Sequence, residues 1–115
     1  MTTLDLSGDT LILRWRQNDP VNITLIALDV DWSGTYKSEI RRLRPKGSVN
    51  HGELLGEFTV TAQHIGADTE FVLSISEADS ADIPTGRWLF DMQETGGSTR
   101  FSGFCEVLED VTVFP

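Results

Sequence analysis

Apolar and polar residues alternate with a period of two along most of the chain, the signature of β-strands with one buried and one wet face. In Thr10–Arg16, Leu11, Leu13 and Trp15 share one side, while Thr10, Ile12, Arg14 and Arg16 share the other. Asn18-Asp19-Pro20 ends this run, because proline has no amide to give a ladder and Asn and Asp favour turns. Ile23–Val30 is almost continuously apolar and fits a strand buried on both faces, closed by the turn Asp31-Trp32-Ser33-Gly34. Tyr36–Arg42 alternates again, with Tyr36, Ser38 and Ile40 opposite Lys37, Glu39 and Arg41. Residues 44–52 read as a polar loop. Leu54–Ala62 and Asp68–Ile75 form the clearest pair. Phe58, Val60 and Ala62 face inward on the first, Phe71, Leu73 and Ile75 on the second, and the short connection through Gly66 fits an antiparallel hairpin.

One segment departs from this rhythm. Ser76 is a good helix cap, and residues 77–82 combine helix formers with acids in the first turn, so one or two helical turns are predicted before Pro84 and Gly86 stop them. Arg87–Gln93 resumes the alternation, Thr95-Gly96-Gly97-Ser98 is a tight turn, Thr99–Leu108 is the next strand, and Asp110–Phe114 is a terminal strand or extension. About 7–8 short strands with turns between them define an all-β chain and suggest a sandwich or a small closed barrel. The favoured architecture is a single antiparallel β-sandwich spanning residues 1–115, with one short helix near residues 77–82. Its core candidates are Trp15, Phe58, Phe71, Trp88, Phe90 and Phe101.

Composition narrows the function. The 115 residues suffice for one hydrophobic core, and with 39% apolar and 23% charged residues burial can offset chain entropy. Apolar runs fall well short of the roughly 18 residues that a membrane-spanning helix needs. The opening residues lack the basic and apolar regions of a secretory leader, so none is expected. A lone cysteine, Cys105, excludes an internal disulfide framework and Cys-rich zinc modules. Eighteen acids against nine bases give a net charge of −9, which repels phosphate backbones and argues against nucleic acid as a direct partner. Five of the nine bases, Lys37, Arg41, Arg42, Arg44 and Lys46, nevertheless fall within ten positions. They are the candidate interaction residues. A solvated hairpin is the plain reading, and contact with an acidic protein neighbour, such as another copy of this chain, is the functional one.

Asp29-Val30-Asp31-Trp32-Ser33-Gly34 begins like a calcium loop, but position twelve holds Ile40 where a bidentate Glu belongs. His51, His64 and Cys105 lack zinc-ligand spacing. No nucleophile elbow and no phosphate-cradling glycine loop is present. The chain is therefore expected to be neither an enzyme nor a cofactor binder. A carbohydrate-binding module stacking sugars on Trp32, Trp88 or Tyr36 is the alternative from another class.

Three blocks, in order, resemble a known family. Asp31-Trp32-Ser33-Gly34-Thr35-Tyr36-Lys37-Ser38-Glu39-Ile40-Arg41 is similar to its Asp-Leu-Thr-Gly-Tyr motif and the strand that follows. Gly86-Arg87-Trp88-Leu89-Phe90-Asp91-Met92-Gln93 resembles its Gly-x-Tyr-x-x-Asp-Leu-Gln strand. Residues 101–112 resemble its closing Leu-x-Gly-x-Val-x-Val-x-x-Asp-Val-Thr. The family consists of small virion proteins of tailed bacteriophages, similar to the N-terminal domain of baseplate upper proteins. The resemblance implies an Ig-like or related sandwich acting as a structural component of the tail, neck or baseplate. Such a protein is made in the host cytoplasm and assembled into the virion with other phage structural proteins and copies of itself. A capsid decoration protein is the alternative within the particle.

Overall fold

The computed structural model describes residues 2–3, 11–43 and 52–109. They form one mixed sheet of eight strands and a single helical turn: β1 (Thr2–Thr3), β2 (Ile12–Arg16), β3 (Val21–Ala27), β4 (Tyr36–Arg41), β5 (Leu54–Ile65), β6 (Asp68–Ile75), α1 (Glu77–Ala81), β7 (Gly86–Glu94) and β8 (Thr99–Leu108). The all-β expectation and the short helix are both met, with the Ser76 hydroxyl accepting from the Asp79 amide at 3.2 Å to cap α1. The proposed terminal strand at 110–114 lies outside the described residues.

The strand order is β1-β3-β6-β5-β4-β7-β8-β2. Five of the seven pairings are antiparallel, but β1 runs parallel to β3 and β2 parallel to β8. This corrects the purely antiparallel architecture expected from the sequence. Alternation reports which side chains are buried and says nothing of a neighbour's direction, and both parallel pairs join strands distant in sequence or separated by another strand.

β2 and β3 lie near opposite edges of this order, yet only Gln17–Pro20 separate them. Such a link reaches about 18 Å at full extension, so the sheet must roll until its far edges approach. Asn18, at φ 74°, takes the left-handed conformation that lets the turn close. β5 makes the roll possible from the other side. Its first part pairs with β4 from Leu54 to Phe58, and its second part pairs with β6 from Thr59 to Ile65. One long strand therefore serves two halves of the sheet.

The inward side chains of the two halves meet in one core. Phe71 on β6 packs edge-to-face on Tyr36 (centroids 5.2 Å apart) and on Phe101 (5.4 Å), and Phe58 on β5 packs likewise on Trp15 (5.7 Å) and Phe90 (5.9 Å). Of the six core candidates, Trp15, Phe58, Phe71 and Phe90 are buried, while Trp88 and Phe101 are half-buried against the same cluster. β3 departs from the double-sided burial its composition suggests. Val21, Leu25 and Ala27 are buried, whereas Asn22 is exposed and Thr24 and Ile26 are half-buried, because no further layer among the described residues covers its outer side. Thr69, fully buried, accepts from the Trp32 amide at 2.8 Å and donates to the Val30 carbonyl at 2.7 Å, tying the β3–β4 connection to β6.

Candidate interaction surface

Strand alternation decides which side chains β2, β4, β7 and β8 present outward. On β4 these are Lys37, Glu39 and Arg41; on β7 Arg87, Leu89, Asp91 and Gln93; on β8 Ser102, Phe104 and Glu106; on β2 Ile12, Arg14 and Arg16. Register then arranges them in rows across the strands. Ile12 stands beside Phe104, Phe104 beside Leu89, and Leu89 beside Arg41. All three apolar members of that row are half-buried. The adjacent row is Arg14, Glu106 and Arg87. The result is an apolar lane flanked by a charged one.

The predicted basic residues divide. Lys37 and Arg41 share a single carboxylate, Glu39, at 3.8 and 3.2 Å, and Arg41 also donates to the Gly52 carbonyl at 2.8 Å. Arg42 turns the other way, 3.5 Å from Glu53 and with its guanidinium 4.9 Å from the Trp88 ring centroid. Arg44 and Lys46 lie outside the described residues. Glu39, Arg41, Asp91 and Ser102 border a shallow cavity of about 240 Å³ on this face.

Sequence reasoning missed the contribution of β2, β7 and β8. Arg14, bonded to Glu106 at 3.2 Å, and Arg87, 4.4 Å over Phe104, belong to the same surface as Arg41. The signal was present, since Arg14, Arg16 and Arg87 sit on the wet sides of their strands, but a clustering rule along the chain cannot see residues gathered by register.

The aromatic side chains are largely engaged. Tyr36 is buried and its hydroxyl donates to the Trp32 carbonyl, while burial raises its phenol above the ordinary range. The Trp88 indole N–H donates to the Pro84 carbonyl at 2.8 Å. Trp32 stacks on Phe101 with centroids 6.4 Å apart and planes 23° from parallel, and the Arg100 guanidinium lies 5.6 Å from its centroid. In the loop that begins like a calcium site, the Asp31 carboxylate accepts from the Ser33 hydroxyl at 2.6 Å and its amide at 3.2 Å, which holds it below the ordinary carboxylate range. His64, at a strand end, stands 3.7 Å from the same group. His51 lies outside the described residues.

Cys105 points into the core and is completely buried, between Leu13 of β2 and Trp88 of β7 in register. Burial pushes its thiol far above the ordinary 9.0. The folded thiol thus keeps its proton where the unfolded chain releases it, and stability falls as pH rises past the unfolded value. Between about pH 8 and pH 10 the loss should be about 1.4 kcal/mol in urea melts, and Cys105→Ala should remove that slope. An identical slope in the variant would assign the loss to other groups.

No family model matches this chain, and no curated protein is significantly similar to it.

Proposed function

We propose that this chain is a structural component of a tailed bacteriophage particle, in the tail, neck or baseplate, acting by protein–protein assembly. The observation that carries this reading is spatial. The three resembling blocks, distant in sequence, fall on β4, β7 and β8, which are consecutive in the sheet. Their outward side chains form the apolar and charged lanes described above, a surface composed for contact with protein.

The finer architectural reading is an Ig-like two-layer sandwich. In such domains strands B, E and D neighbour one another in one sheet and C, F and G in the other. The runs β3-β6-β5 and β4-β7-β8 have the same neighbours in the same chain order. The bond from Trp88 to Pro84, at the entry to β7 and two residues before buried Phe90, supports this further. It occupies the place where many Ig-like domains use a tyrosine to tie the corner to upstream backbone. A sugar-binding reading has less support, because Tyr36 is buried and both Trp32 and Trp88 are covered in part by arginines.

Purified particles carrying a tagged copy of the chain provide the test. Imaging should locate it in the tail, neck or baseplate; density on the head would instead favour decoration, and absence from particles would overturn the reading. Arg41→Glu with Arg42→Glu should reduce incorporation at least tenfold, on the order expected for reversed interface charges. Unchanged incorporation would remove the basic segment from the contact.

A further inference from the structure

The charges of this chain are segregated by strand. All seven Lys and Arg among the described residues lie on β2, β4, β7 and β8 or directly after β4. No Lys or Arg occurs from residue 17 to 36 or from residue 47 to 86, the stretches that supply β3, β5, β6 and α1. Those elements carry Glu57, Asp68, Glu70, Glu77 and Asp79, of which Glu57 pairs with Glu39 of β4 and so belongs to the other half. Because the two halves of the sheet share one core, their outer faces point in opposite directions: Arg14, Arg16, Lys37, Arg41 and Arg87 lie on one, and no described Lys or Arg lies on the other.

The two faces also match in pattern. On the acidic face, register places Thr24, Val72 and Thr61 in one row and Ile26, Glu70 and Gln63 in the next. Val72 is half-buried at the centre of its row, with Glu70 two residues away on the same strand. On the opposite face, Ile12, Phe104 and Leu89 run beside the row Arg14, Glu106 and Arg87. Each face therefore sets a row with an apolar centre next to a charged row, two arginines about one glutamate on the first face and a single glutamate on the second.

We propose that copies of this chain associate head to tail, the outer face of β2-β8-β7-β4 in one copy seating on the outer face of β3-β6-β5 in the next. The inference rests on the assembly reading and names the immediate partner as a second copy. A two-fold contact would oppose like faces, arginine row to arginine row or acid to acid, whereas the head-to-tail contact opposes unlike ones. The net charge of −9 repels copies at long range, but ionic strength near 0.15 M screens charges beyond about 8 Å and leaves the close contacts to decide.

A head-to-tail contact has a diagnostic that a two-fold contact lacks. Arg14→Glu with Arg87→Glu spoils one face, and Glu70→Lys with Gln63→Lys spoils the other. All four side chains lie on outer faces, and urea melts verify that each variant is folded. In sedimentation at physiological salt, the unmodified chain should grow in size with concentration. Each variant alone should associate at least about tenfold more weakly. A one-to-one mixture should regain association, because each variant keeps the face the other lacks and the two reversed faces are again opposite in sign. An unmodified chain that stays monomeric at millimolar concentration overturns the proposal, as does a mixture that stays monomeric, or a single variant that still associates as well as the parent. If the chain is monomeric yet present in particles, the self-contact fails and the assembly reading stands. If the mixture associates but particles lack the chain, the reverse holds.

Discussion

Phe71→Ala lowers the unfolding free energy by about 4 kcal/mol, a large share of the roughly 5–15 kcal/mol available to a domain of this size. The side chain has no exposed surface and sits where the two halves of the rolled sheet meet, edge-on to Tyr36 and Phe101. Truncation loses the transfer free energy of the ring and leaves a void that neighbours on different strands cannot close together. The urea midpoint should fall at constant slope. Phe104→Ala supplies the contrast: its ring is half-buried on the outer face, and its removal should cost about 1 kcal/mol or less. If both variants lost the same amount, Phe71 would not be the joint between the halves.

Gly103→Val should destabilise by about 3 kcal/mol, against the sign that strand propensity predicts. Valine favours strands and glycine weakens them, so an isolated view of β8 forecasts a gain. A Cβ at this position, however, would meet the Leu11 backbone carbonyl, with Phe90 Cε1 at 2.9 Å and Leu11 Cβ at 3.1 Å. The Phe104 amide donates to that same Leu11 carbonyl at 2.9 Å, which holds residue 11 against β8 beside the glycine. Equilibrium denaturation decides between the two forecasts, and a stabilised variant would show that residue 11 gives way freely.

These cases mark where the sequence was legible. The inward set Leu13, Trp15, Phe58, Phe71, Leu73, Phe90 and Cys105 follows from alternation alone, because burial on one face imposes a period of two whatever the partner strand. Ser76 and the acids after it announced α1 for an equally local reason. Strand direction was illegible: nothing in Ile12–Arg16 says that it lies parallel to a strand some ninety residues later. The candidate surface was half legible for the same reason. Lys37, Arg41 and Arg42 stand close in the chain, while Arg14 and Arg87 join that surface only through register. Gly103 reads on paper as a weak strand position, and its purpose is visible only once Leu11 is seen against it.

The parallel pairing of β2 with β8 has a mechanical consequence. Five residue pairs, from Ile12 with Phe104 to Arg16 with Leu108, bind the two strands side by side. Tension applied between residues 12 and 108 pulls them in opposite directions along their own axes. The ladder is then loaded in shear, every hydrogen bond bearing force at once, where a peeled hairpin would yield one bond at a time. A module strung through these two points would act as a stiff, force-bearing link.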